Sequence, residues 1–111
     1  ILRQRQMCIR DRSYVISNDG IDLEGKEIIT PREARVLRSL MATCGTYDYS
    51  GDFAIRVGLP AKSGVGGGIV TASKNKTGLA VYAPRLDKHG NSYSGVRMLE
   101  FLSNELDLSI Y

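Results

Sequence analysis

The residues best suited to chemistry lie between Cys44 and Gly68. The stretch Gly58-Leu59-Pro60-Ala61-Lys62-Ser63-Gly64-Val65-Gly66-Gly67-Gly68 sets an amine and a hydroxyl beside four glycines in five positions. Glycine at that density is entropically costly on folding, so it signals a close backbone approach or positive φ. Phosphate binding is the first chemistry to test. A P-loop needs four residues between its first glycine and a Gly-Lys-Ser/Thr end. Here Ala61 precedes Lys62, and Gly58 lies too close. A dinucleotide fingerprint needs Gly-x-Gly-x-x-Gly opening a helix. Here Gly64, Gly66 and Gly68 alternate, and a β-rich run follows. Both phosphate readings fail on spacing and context. Two readings remain open: exposed backbone N–H groups forming an oxyanion hole, or a glycine bulge on an edge strand.

A Lys-Ser/Thr-Gly triplet beside a strand has a known use. In the penicillin-recognising serine hydrolases, Lys-Thr-Gly lines the cleft beside a Ser-x-x-Lys nucleophile. Lys62-Ser63-Gly64 fits the triplet, although alone it is a weak signal. A nucleophile is harder to find. Of the ten serines, only Ser73 has a lysine three residues later, in Ser73-Lys74-Asn75-Lys76. A working pair sits at a helix start, where one turn brings the amine over the hydroxyl. Ser73 falls in a charged stretch read as a hairpin loop, so it is rejected. Ser63 has no histidine base. His89, the one histidine, lies in a polar loop and reads as a surface residue, with Asp87 and Asn91 shaping that loop through side-chain to backbone bonds.

The elements that must position these residues follow from pattern. Ser13–Ser17 reads as the tail of a helix or strand, ended by Asn18-Asp19-Gly20. Residues 21–29 read as a polar loop with a turn at Glu24-Gly25-Lys26. Thr30-Pro31-Arg32-Glu33 is a capping box with proline at the first helical position. Val36, Leu37, Leu40, Met41 and Cys44 recur at helical spacing, and Gly45 follows as a C-terminal cap. The pattern predicts a helix over 31–44. Phe53, Ile55 and Val57 alternate and predict a strand. Residues 69–73 and 79–82 are two more β-rich runs, with a hairpin loop over 74–78. Met98, Leu99, Leu102 and Leu106 mark a closing amphipathic helix. The expected class is α+β, an antiparallel sheet flanked by helices.

Composition bounds the function. The 111 residues allow one compact domain at most, since domains cluster near ~100–150 residues. No window approaches the ~20 apolar residues of a membrane span. Two cysteines cannot make a disulfide framework, and a single histidine argues against a His-built metal site. The net charge of +3 suggests nucleic acid until its position is considered. Residues 1–12 hold Arg3, Arg5, Arg10 and Arg12 against Asp11, and the remaining chain is neutral. No aromatic and basic residues interleave elsewhere, so a nucleic-acid partner is not expected. Three readings of residues 1–12 stand: a basic arm, a disordered tail, or a translated sequencing adapter. The last is preferred. Met7-Cys8-Ile9-Arg10-Asp11 resembles the translation of a transposon-end adapter found at the ends of genes predicted from metagenomic reads. On that reading the natural protein begins well upstream.

Three separated blocks carry a family resemblance. They are Thr43-Cys44-Gly45-Thr46-Tyr47-Asp48-Tyr49-Ser50-Gly51, the glycine-rich stretch at 57–68, and Leu86-Asp87-Lys88-His89-Gly90-Asn91-Ser92. In that order they resemble the serine-dependent glutaminases, from about Tyr14 to Tyr111, as the C-terminal third of a family member. The resemblance implies a partial β-lactamase-like fold and hydrolysis of L-glutamine to L-glutamate and ammonia. It implies no metal or organic cofactor, a cytoplasmic location, no membrane partner, and a homo-oligomer when full length. It places the tyrosine of the Cys-Gly-x-Tyr-Asp block, Tyr47 here, in the active site as a substrate contact and a candidate for proton transfer. It places the valine of the Lys-Ser-Gly-Val block, Val65 here, at the oxyanion hole, contacting glutamine through its backbone. Lys62 and Ser63 flank the site.

Departures are few. Thr46 stands where the family commonly has methionine, and Ala83-Pro84-Arg85 replaces a more usual Ser-Pro-Pro. The large one is the missing Ser-x-x-Lys nucleophile, which the family places far upstream. The expected domain content is therefore a tail or adapter over 1–12 and the C-terminal part of a glutaminase domain over 13–111, inactive alone. The alternative is a non-catalytic binding domain on the same scaffold.

Overall fold

The computed structural model describes residues 2–73 and 77–111, with side chains from residue 8 onward. Four helices and a three-stranded sheet follow in the order α1 (Leu2–Ser17), α2 (Pro31–Cys44), a 3-10 turn (Tyr47–Tyr49), α3 (Ser50–Arg56), β1 (Ala61–Ser63), β2 (Gly68–Ala72), β3 (Gly78–Tyr82) and α4 (Tyr93–Glu105). The sheet is antiparallel in the order β1-β2-β3, with Lys62 opposite Val70 and Ile69 opposite Val81. The expected α+β class holds. Helix α1 packs on β2 and β3 from one side, and α4 packs on the same two strands from the other. The core lies on the α4 side, where Ile69 and Val81 meet Val96 and Leu99.

Helix α1 ends where Asp19 and Gly20 both take positive φ, and Gly20 N–H returns to the Val15 carbonyl. Leu2–Ser17 is one helix, so the stretch expected as the tail of a helix or strand over Ser13–Ser17 is the end of a helix. The turn at Glu24-Gly25-Lys26 is present, closed by Asp22 Oδ1 accepting from Glu24 and Lys26 N–H. Helix α2 starts on the expected capping box: Thr30 Oγ1 accepts from Glu33 N–H, and Glu33 Oε2 accepts from Thr30 N–H. Its apolar stripe is mostly uncovered, since only Ala34 and Met41 are buried while Val36 and Leu40 are about half exposed.

The expected strand over Phe53–Val57 is helix α3. Phe53 and Val57 are buried four positions apart on one helix face, and Ile55 between them is 84% exposed. The same residues fit both periods, and only the placement of Ile55 separates them. The first strand is instead the Lys62-Ser63 segment itself. In the loop expected over 74–78, Lys74, Asn75 and Lys76 lie outside the described residues. Its flanks pair as a hairpin requires, with Ala72 opposite Gly78. In α4 the buried positions are Gly95, Val96, Leu99 and Ser103, so Met98 and Leu106 face outward, contrary to the expected stripe.

Gly45 closes α2 as expected, but in a right-handed conformation. Its lack of a side chain serves contact: a Cβ there would lie 1.6 Å from the Ala61 carbonyl oxygen. The Gly45 carbonyl accepts from Ser63 N–H at 2.9 Å. The end of α2 is thereby docked onto β1, which sets the next residues against the glycine-rich turn.

Candidate active site

Residues 65–67 form a three-residue hairpin loop between β1 and β2, closed by Gly64 and Gly68. Gly67 N–H bonds the Gly64 carbonyl, and Gly64 N–H bonds the Gly68 carbonyl. Gly67 has φ +97, the left-handed residue that such a loop needs. It also lies against the next segment, because a Cβ there would be 2.5 Å from Pro84 Cα. Of the two open readings of the glycine stretch, the glycine bulge is present. Val65 at the tip is 73% exposed. Among the described residues, nothing accepts from Val65 N–H or Gly66 N–H.

Tyr47 sits at the junction of α2 and the 3-10 turn with φ +60, a left-handed conformation uncommon for a bulky residue. Its hydroxyl donates to the Ser63 carbonyl at 3.3 Å. The Lys62 ammonium donates to that same carbonyl and lies 5.0 Å from the Tyr47 ring centroid. Tyr47 thus reaches the end of β1, two residues before Val65. The structure places Tyr47, Lys62 and Ser63 at one strand end, with Val65 two residues further along the chain. Ser63 Oγ is buried and has no hydrogen-bond partner among the described residues.

The third block supports the first. Asp87 Oδ1 accepts from His89 and Asn91 N–H, giving the loop its expected shape. His89 Nδ1 lies 3.0 Å from Asp48 Oδ1, and its ring stacks on Tyr49 with centroids 4.9 Å apart. The Tyr47 ring packs beside Gly90, whose absent Cβ would lie 3.6 Å from it. Thr46 is buried, and its hydroxyl pairs with Ser50 Oγ at 3.2 Å. Asn91 differs from the expectation: within its loop it contributes only its backbone N–H and carbonyl, and its side chain is fully buried against the Thr46 backbone instead. A buried amide is signalled only by its partner, which lies 45 positions away.

A mostly apolar groove of about 980 Å³ runs along the same edge. Leu37 and Leu40 of α2, Ile9 and Ile16 of α1, and Lys62 and Ser63 of β1 line it, as do Gly64 and Gly66 on either side of Val65. Ser73 is buried beyond the end of β2 rather than at a helix start, which agrees with its rejection as a nucleophile. Among the described residues no helix is long and apolar enough to cross a membrane.

Comparison with known proteins gives a consistent result. The family model described as Glutaminase matches residues 8–111, so the match begins inside the basic segment. A glutaminase of Fusobacterium nucleatum is 53% identical over 96 residues, covering 86% of this chain and 32% of that protein. Glutaminase 1 of Halalkalibacterium halodurans is 47% identical over 110 residues, covering 96% of this chain and 36% of that protein. The Bacillus subtilis glutaminase YbgJ, solved as a covalent complex with 5-oxo-L-norleucine, superposes with a TM-score of 0.88 at 34% identity. That superposition covers 96% of this chain and 39% of the other. The chain spans about a third of the length of the curated relatives it matches.

Proposed function

From the premise that this chain belongs to the glutaminase family, we propose that it forms one wall of a site that hydrolyses L-glutamine to L-glutamate and ammonia. The nucleophile is a serine of a Ser-x-x-Lys pair carried on sequence upstream of this chain. Its oxygen attacks the side-chain amide carbon, ammonia leaves with a proton, and water then cleaves the acyl-enzyme to glutamate. In this scheme the Val65 N–H donates to the oxyanion that forms on the amide oxygen. A donor fixed before reaction stabilises that charge without reorganisation. Tyr47 contacts the substrate and moves a proton through its hydroxyl.

The observation that carries the proposal is the meeting of Tyr47 with the Lys62-Ser63 strand end at the Ser63 carbonyl. The hydroxyl is bonded two residues before Val65, whose N–H has no acceptor among the described residues. The covalent product that the B. subtilis relative forms with 6-diazo-5-oxo-L-norleucine supports a covalent route.

The test is ammonia release from L-glutamine by the full-length protein that contains this chain. Release is expected. A folded full-length protein that releases none would overturn the proposal in favour of a non-catalytic binding domain on this scaffold.

A further inference from the structure

We propose that Lys62 is the positioning residue of Tyr47: its ammonium fixes the phenol through the shared Ser63 carbonyl and offsets charge on the phenol oxygen as a proton moves. The inference rests on the role proposed for Tyr47. Lys62 lies on the exposed face of β1, between the buried Ala61 and Ser63. An ammonium on an edge strand ordinarily extends into water, where it is best hydrated. Here it folds back onto the carbonyl of the next residue and over the Tyr47 ring.

Tyr47 needs such support. Its backbone is left-handed, and its side chain is 40% exposed, so burial alone does not hold the ring. The hydroxyl bond to Ser63 is long at 3.3 Å, and hydrogen bonds beyond about 3.2 Å are weak. A cation within about 6 Å of an aromatic centroid is attracted to the ring. Lys62 therefore adds a second contact to the ring and a second donor to the carbonyl that orients the hydroxyl. When the phenol releases its proton, the ammonium already shares the Ser63 carbonyl with it, so no group has to move to meet the charge.

The first measurement is made on the 111-residue chain, with fluorotyrosine incorporated and the Tyr47 signal assigned by its loss in Tyr47→Phe. In Lys62→Met the fluorine resonance of Tyr47 moves toward that of free tyrosine, and in Lys62→Arg it stays near wild type. An unmoved resonance in Lys62→Met overturns the proposal, and does so whether or not the full-length protein hydrolyses glutamine. The second measurement is turnover by the full-length protein. Lys62→Met lowers kcat by about tenfold or more with KM within about twofold, and Lys62→Arg recovers most of it. In the Tyr47→Phe background the same Lys62→Met change alters kcat by less than about twofold, because its effect runs through the hydroxyl. Equal losses in both backgrounds, or a raised KM at unchanged kcat, overturn the proposal. A wild-type protein that releases no ammonia is a failure of the glutaminase reading, separate from the fluorine result.

Discussion

Asn91, fully buried, donates from Nδ2 to the Thr46 carbonyl at 3.2 Å. This bond fastens the loop at 87–91 to the residue immediately before Tyr47. It explains how two segments far apart in sequence act as one support. Asn91→Leu removes one of the two donors to the Thr46 carbonyl and leaves Tyr49 N–H as the other, a loss of about 0.5–1.5 kcal/mol. Denaturant unfolding of the chain measures it. A change below about 0.5 kcal/mol would mean that the loop and the turn are held by other contacts.

Tyr47→Phe keeps the ring beside Gly90 and removes only the hydroxyl. Turnover by the full-length protein falls by ~10²-fold or more if that hydroxyl transfers a proton, while the fold is retained. Circular dichroism checks the fold, and steady-state kinetics check the loss. Wild-type turnover in Tyr47→Phe refutes the role.

The glycines of the site separate by cause. Gly45→Ala puts a methyl into the Ala61 carbonyl and must push α2 off β1, a cost above about 2 kcal/mol. Gly66→Ala meets nothing within 4 Å and stays within about 0.5 kcal/mol of wild type. Thermal melts of the two variants side by side give the comparison, and similar melting temperatures would contradict the close approach of Gly45.

The two helices that frame the sheet predict opposite sensitivities. Leu99 is completely buried, and Leu99→Ala destabilises the chain by about 2–5 kcal/mol. Leu40 is 54% exposed along the groove, and Leu40→Ser changes the stability of this chain by less than about 0.5 kcal/mol. In the full-length protein Leu40→Ser becomes costly if upstream sequence covers the groove. Urea midpoints on both lengths decide it, and equal small effects in both would show that the groove stays open.

What sequence could reveal depended on the range of each interaction. The start of α2 was legible because Thr30 and Glu33 are three residues apart and complete their bonds locally. The identity of α3 was not, because Phe53, Ile55 and Val57 fit a strand until packing leaves Ile55 outside. The uncovered stripe of α2 was equally illegible, since periodicity marks an apolar face without saying what lies against it. At the site, the two residues named for chemistry do adjoin the same strand end. Tyr47 reaches that strand end through tertiary contacts at Gly45, Ser63 and Asn91 that no local pattern encodes.

The central claim is that Tyr47 and Val65 face one substrate. The most direct measurement is a structure of the full-length protein with L-glutamate bound. The account predicts a side-chain carboxylate oxygen about 3 Å from Val65 N and a Tyr47 hydroxyl in contact with the ligand. Glutamate bound away from both residues would contradict it.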